Sequence, residues 1–221
     1  MKIRQLIYRL RNILIIISLA VTTTYTSAAT PEQIAKVIKQ VNDIRFIQGQ
    51  FVQQKKIQGI AYPLKAEGHF MFWKGQGLYL ATDKPFFNAM TLTSTGIINW
   101  QLDGTGTMAQ EESGIIQREV NKTLLAFFSA DIALIEQRFK VDWVFDKDQW
   151  QLSLTPKMDI IQKNMRVAII RGQQFMNELS VIAANGDQTD LTFSAQQESA
   201  QPTAVQCRWF YLQAQNACNK F

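Results

Sequence analysis

The segment Phe46–Trp100 predicts a series of antiparallel strands in which both faces are apolar. Side chains alternate between the two faces of a strand. In residues 70–73, two phenylalanines therefore point to one side, whereas Met71 and Trp73 point to the other. An antiparallel sheet that has one face in water keeps that face polar. The pattern leaves two interpretations open: the sheet is enclosed on both sides within a core, or one face lines an apolar cavity.

A helix is predicted directly after residue 29. Thr30 can cap its N-terminus, Pro31 suits the first helical position and Gln33 completes a capping box. Apolar residues then recur at helical spacing, at Ile34, Val37, Ile38 and Val41. An amphipathic helix of this kind needs an apolar surface on which to pack.

Two more helices are predicted in the middle of the chain, over Glu119–Phe128 and Asp131–Arg138, with Asp131 as the N-cap of the second. The first is apolar over much of its circumference, so it is buried or covers an apolar surface. Alternating residues then predict a meander of strands over residues 139–195. Together these elements indicate a mainly β, α+β fold: a curved antiparallel sheet, or open, incomplete β-barrel, with helices covering it.

The first 29 residues are typical of a secretory signal peptide. Basic residues precede a short apolar run, Ile13–Val21, and small residues then favour cleavage near Ala29. The run is shorter than the ~20 residues that a membrane-spanning helix needs. We therefore expect an exported, periplasmic protein whose mature part, residues 30–221, forms a single domain with a C-terminal cysteine segment.

Removal of the signal peptide changes the charge balance. The full chain has a formal net charge of +5, and the charged residues before Thr30 are four cations, Lys2, Arg4, Arg9 and Arg11. The mature chain therefore retains about +1, without a Lys/Arg cluster that could neutralise a row of phosphates. This composition predicts no nucleic-acid partner.

The cysteines and the single histidine limit the chemistry that the chain can perform. Cys207 and Cys218 favour a structural disulfide, because an oxidising compartment promotes pairing and the spacing is not Cys-x-x-Cys. With His69 as the sole histidine, we expect no metal site and no cofactor. The sequence also lacks the Gly-x-Ser-x-Gly motif of a lipase, and we expect the protein not to be an enzyme.

Several motifs, taken in order, resemble the LolA family of periplasmic outer-membrane lipoprotein carriers. They are Phe51-Val52-Gln53-Gln54-Lys55, Gly68-x-Phe70-x-Phe72-x-Lys74, Leu78-x-Leu80-x-Thr82-x-x-Pro85 and Leu152-x-Leu154-Thr155-Pro156-Lys157. The resemblance covers roughly Pro31–Gln197. The C-terminal cysteine segment has no counterpart in the typical carrier, which indicates a divergent branch.

This resemblance implies an open barrel whose concave apolar face is closed by helices and holds acyl chains. The cavity residues that it implies are Phe70, Phe72, Leu78, Leu80, Leu124, Phe127, Phe128, Ile34 and Ile38. In the family an arginine holds the helical lid closed. Lys74 stands at that position here and is the candidate latch, although it lacks the planar guanidinium. The implied partners are a lipoprotein or other acylated lipid cargo, an inner-membrane donor complex and an outer-membrane acceptor.

Three functions fit these observations. The first is a periplasmic carrier that shields the acyl chains of a lipoprotein or related amphiphile from water, since burying each CH₂ is worth ~0.8 kcal/mol. The second is an interaction or sensor module that binds the apolar tail of a protein partner. The third is a lipid hydrolase that uses His69 as its base.

Overall fold

The computed structural model describes residues 29–109, 125–129, 131–212 and 217–218. The predicted signal peptide up to residue 28 lies outside the described residues, as do Leu124 and the rest of the segment 119–124. Within the described part, no helix has the length and apolar character needed to cross a membrane.

The opening helix, α1, spans Pro31–Asp43 and begins as predicted. Thr30 Oγ1 accepts a hydrogen bond from the Gln33 amide at 3.2 Å, and Gln33 Oε1 accepts one from the Thr30 amide at 2.9 Å. These two bonds form the predicted capping box and satisfy backbone donors that have no partner inside the helix.

The other helical elements are short. Asp131 caps one of them as predicted, because its carboxylate accepts a hydrogen bond from the Leu134 amide at 3.1 Å. The elements are α2 (residues 125–129), α3 (Ile132–Arg138), α4 (Asp159–Gln162), α5 (Ala204–Cys207) and a 3₁₀ turn (Arg208–Phe210).

Within the described residues, eleven strands form one antiparallel sheet. They are β1 (Phe46–Lys56), β2 (Leu64–Trp73), β3 (Gly77–Lys84), β4 (Asn88–Leu92), β5 (Ile97–Trp100), β6 (Gly106–Met108), β7 (Phe139–Asp146), β8 (Gln149–Pro156), β9 (Met165–Gly172), β10 (Met176–Ala183) and β11 (Gln188–Ser199).

The order of the strands is β6-β5-β4-β3-β2-β1-β11-β10-β9-β8-β7. The first and last strands of the chain pair with each other in the middle of the sheet, with Phe51 opposite Phe193. The sheet is curved. It is not closed, because strands β6 and β7, which follow each other in sequence, lie at its opposite edges. The prediction of an open antiparallel barrel is confirmed.

The concave face carries a large apolar layer that includes residues from both halves of the sheet, such as Leu92 of β4 and Leu152 of β8. Helices α1, α2 and α3 cover this layer: Val37, Ala126 and Ile135 are their buried members. Helices therefore cover the concave apolar face, as the resemblance implied.

The convex face carries a second apolar layer, confined to strands β1–β5. Its buried residues are Phe46, Met71, Tyr79, Ala81, Ala89, Ile98 and Trp100. The C-terminal segment lies over it, with Trp209, Phe210 and Tyr211 against the sheet. The interpretation of a sheet enclosed on both sides therefore holds for strands β1–β5, because helices cover one face and the C-terminal segment covers the other.

A disulfide and several hydrogen bonds hold this C-terminal cover in place. Cys207 and Cys218 form the predicted disulfide. The Thr91 hydroxyl, fully buried, donates to the Trp209 carbonyl oxygen at 2.5 Å and accepts from Trp100 Nε1 at 2.8 Å. At the adjacent turn the Tyr211 hydroxyl lies 2.8 Å from Gln76 Oε1.

Candidate functional site

An apolar gap lies between α1 and the concave face. Its volume is about 40 Å³, which is enough for a few water molecules but not for a long hydrocarbon chain. Its lining consists of apolar side chains from three helices and from strands β7–β10: Val37, Ile38, Val41, Phe127, Ile132, Ile135, Trp143, Trp150, Leu152, Ile170 and Met176. Among the described lining residues all side chains are aliphatic, thioether or aromatic, and the indole N–H of Trp150 already donates to a backbone carbonyl, so the gap offers water few hydrogen-bond partners and suits hydrocarbon.

The far side of the gap is formed by two tryptophans on neighbouring strands. The ring centroids of Trp143 and Trp150 are 6.2 Å apart, and Trp150 Nε1 donates to the Gln173 carbonyl oxygen at 2.8 Å. Trp150 also packs closely on Gly172, where an added Cβ would lie 2.3 Å from its Cζ2 atom. A glycine at the end of β9 thus gives the indole its position beneath α1.

Of the nine predicted cavity residues, two line the gap, six lie elsewhere and one is outside the described residues. Ile38 and Phe127 line the gap. Phe70, Phe72 and Leu78 are only 1–2% exposed and pack in the concave layer away from it. Leu80 and Ile34 are partly buried and do not line the gap, and Leu124 lies outside the described residues.

An aromatic cluster fills the region around Phe70 and Phe72. The ring of Phe128 on α2 lies 6.1 Å from that of Phe70, 5.6 Å from that of Phe72 and 5.9 Å from that of Phe193, centroid to centroid. These spacings are normal for packed aromatic pairs. In this conformation the Phe128 side chain of α2 occupies the space over β2.

Sequence reasoning missed the part of the gap formed by β7–β10. Apolar Val141, Trp143 and Phe145 occupy every second position of β7 and mark its apolar face. Leu152 of β8 lies opposite Trp143 and belongs to the same face. That signal identifies an inward face but not the helix that lies over it.

Helix α1 is attached mainly through its C-terminal half. Gln40 Nε2 donates to the carbonyl oxygens of Gln173, at 3.0 Å, and Gln174, in the β9–β10 turn. Lys74 Nζ, in the β2–β3 turn, donates to the carbonyl oxygen and the side-chain Oδ1 of Asn42, at 2.5 and 2.6 Å. Lys74, the candidate latch, therefore contacts the C-terminal end of α1, where a cation also meets the negative end of the helix dipole.

The apolar face of α1 is shallowly buried. Val37 is 8% exposed, whereas Ile34, Ile38 and Val41 are only partly buried. Lifting the helix would therefore expose less apolar surface than removing a core helix.

The geometry around His69 does not assemble a nucleophile and a base. His69 Nδ1 lies 3.0 Å from Asp83 Oδ2 in an exposed pair on the convex side. A serine, Ser194 of β11, lies in register with His69 of β2, but β1 separates the two strands. Gln50 of β1 pairs with His69 on one side and with Ser194 on the other. Two strand spacings put them roughly 10 Å apart, beyond hydrogen-bond reach.

The described residues also contain no group of three or more His, Cys, Asp or Glu side chains placed to hold a metal ion.

Comparisons with solved structures find chains of low identity. A LolA superfamily protein from Nitrosomonas europaea is 10% identical, with a TM-score of 0.41, covering 76% of this chain and 94% of that one. A putative outer membrane lipoprotein-sorting protein domain from Vibrio parahaemolyticus is 9% identical, with a TM-score of 0.42 and coverage of 85% and 95%. The matched chain in the complex structure of Pseudomonas aeruginosa MucA/MucB is 10% identical, with a TM-score of 0.46, and the match covers 78% of this chain and 58% of that one.

No curated protein matches the chain at a significant level. The sequence does match the family described as outer membrane lipoprotein carrier protein LolA, over residues 42–206. Because that match spans well over half of the 221 residues, this chain belongs to the LolA family.

Proposed function

We propose that this protein is a periplasmic carrier that shields the acyl chains of a lipoprotein or related amphiphile between its concave face and its helices. The observation that carries the proposal is the gap itself: its described lining is aliphatic and aromatic, and it is covered by a helix that is shallowly buried. Hydrophobic attraction is non-directional, so such a lining would accept hydrocarbon chains of varied shape.

Binding requires the helices to move, because the gap has a volume of only about 40 Å³. The shallow burial of α1 favours its movement, since regions with few buried apolar contacts open at low free energy. An acyl chain would then replace the contacts of Ile38 and Phe127 with the strands. Exchange of one apolar contact for another keeps the binding reversible, as transfer between two membranes demands.

The experiment uses the purified mature protein, residues 30–221. Organic extraction followed by mass spectrometry would detect co-purified lipid, and titration with a fluorescent fatty-acid probe would measure acyl binding. We expect saturable probe binding. A folded protein that carries no lipid and binds no probe would overturn the proposal.

Two matched variants locate the binding site. Ile38→Glu puts a carboxylate into the gap and should weaken probe binding by at least about tenfold, because burying an unpaired charge is costly. Val205→Glu, at a position 69% exposed on α5, should leave binding unchanged. If Ile38→Glu does not fold, Ile38→Ser provides the same comparison. Equal binding by the Ile38 and Val205 variants would place the acyl chain elsewhere.

Binding of a protein tail is the second candidate function, and exposed apolar loops favour it. Tyr62, Phe86 and Leu102 are 79–82% exposed. Their loops, β1–β2, β3–β4 and β5–β6, lie at the same end of the sheet because consecutive strands are antiparallel. An apolar peptide that binds while the acyl probe does not, with loss of binding in Phe86→Ser, would support this function instead.

A further inference from the structure

A second, polar groove lies beside the C-terminal end of α1. It has a volume of about 660 Å³ and is bordered by the α1–β1 junction, the β2–β3 turn and the residues after β11. Its lining residues are Asn42, Asp43, Arg45, Trp73, Lys74, Ala200 and Gln201. The proposed carrier function does not by itself require this groove.

The groove has an excess of positive charge. Among its described lining residues the one carboxylate is that of Asp43, which is paired with Lys39 outside the groove, with Nζ and Oδ2 2.6 Å apart. Lys74 Nζ donates to two neutral oxygens of Asn42, which leaves its charge uncompensated and one of its three N–H donors available. The Arg45 guanidinium makes no hydrogen bond or ion pair with a described residue.

This arrangement suits an anionic group with several oxygen acceptors. A guanidinium offers a planar fork of donors to phosphate or carboxylate, and an ammonium adds a point charge. The indole of Trp73 provides an apolar wall beside these donors, which suits a group that is polar at one end and carbon-rich at the other.

The groove and the apolar gap meet at α1. Val41 lines the gap and the next residue, Asn42, lines the groove. Consecutive Cα atoms are about 3.8 Å apart, so the apolar compartment and the cationic one border the same turn of α1, on different faces of the helix. A molecule with a hydrocarbon chain under α1 could therefore place its head in the groove.

We propose that Arg45 and Lys74 bind the anionic headgroup, a phosphate or carboxylate, of the amphiphile whose chain lies beneath α1. This inference rests on the proposed carrier function and specifies its cargo as an anionic amphiphile. Arg45 is the principal contact, since its donors are uncommitted, and Lys74 contributes its remaining donor while still holding Asn42.

The test compares two ligands with the same acyl chain, lysophosphatidic acid and the neutral monoacylglycerol, each displacing the fluorescent probe. We expect the purified protein to prefer the phosphate-bearing ligand by about tenfold or more, and Arg45→Gln to remove most of that preference. Binding of monoacylglycerol should not change. Lys36→Gln, which removes an exposed cation of the same helix, is the matched control and should retain the preference.

The outcomes separate this inference from the carrier function. If neither ligand binds, the carrier function fails. If both bind equally, or if Arg45→Gln combined with Lys74→Gln retains the preference, the headgroup assignment alone is wrong. Inorganic phosphate distinguishes the source of the anion: we expect it to compete only weakly, and competition as strong as that of lysophosphatidic acid would overturn the assignment to a lipid.

Discussion

Trp209 packs on Tyr79 across the convex face, with their ring centroids 5.2 Å apart and their planes inclined by 34°. Tyr79 lies on β3, between β4 and β2, whereas Trp209 belongs to the C-terminal cover. This contact leaves Tyr79 only 2% exposed. Burial, and secondarily the negative charge of Asp83, raises the pKa of the Tyr79 phenol to about 12.

The raised pKa predicts a loss of stability at high pH. The folded state favours the neutral phenol. The contribution of Tyr79 to the free energy of unfolding is therefore fully present below the unfolded pKa of about 10, and it is lost as pH rises through the folded pKa of about 12. We expect Trp209→Ala to bring the pKa of Tyr79 back towards 10, measured by ultraviolet titration of the phenolate. Trp143→Ala, on the concave side, is the control and should leave the pKa unchanged. An unchanged Tyr79 titration in Trp209→Ala would show that the cover does not control this burial.

The disulfide between Cys207 and Cys218 should stabilise the fold without taking part in acyl binding. It joins residues 11 apart in sequence, and closing such a loop is worth about 2–3 kcal/mol. Replacing both cysteines by serine should lower the free energy of unfolding by that amount, measured by urea denaturation. Probe binding should persist, because the bridge belongs to the convex side. A folded double variant that no longer binds the probe would contradict this separation.

Leu78 and Ile38 should differ in their effect on stability. Leu78 is 1% exposed in the concave layer, so Leu78→Ala should cost about 3 kcal/mol in the free energy of unfolding. Ile38 is only partly buried, and Ile38→Ala should cost about 1 kcal/mol, because its side chain already lies partly in water and truncation removes less buried apolar area. Urea denaturation of the two variants checks this order. Equal losses would mean that α1 packs as firmly as the central strands.

Gly172→Ala should disturb the wall of the gap. The added methyl group would lie 2.3 Å from both Trp150 Cζ2 and the carbonyl oxygen of Phe175, and the backbone atom cannot move aside freely. We expect destabilisation of about 1–3 kcal/mol, with a changed tryptophan emission as Trp150 shifts. Unchanged stability and emission would show that the turn after β9 relaxes easily.

Local sequence patterns predicted the elements and the fold class. The capping residues around Thr30 specify the start of α1, and Asp131 specifies that of α3, because these signals involve side chains within one turn of the helix. The alternation of Phe70 and Phe72 with Met71 indicated two apolar faces, since strand geometry alone sends neighbouring side chains to opposite sides. The pairing of Cys207 with Cys218 followed from there being only two cysteines.

The tertiary structure alone decided what covers each face and where space remains. Alternation along β2 cannot show that Met71 lies under the C-terminal segment while Phe72 meets Phe128, because both partners are distant in sequence. It also cannot show that the gap adjoins Trp150 rather than Phe70. Whether a site is filled depends on the combined shapes of side chains from separate elements, and a periodic pattern specifies only the direction in which each one points.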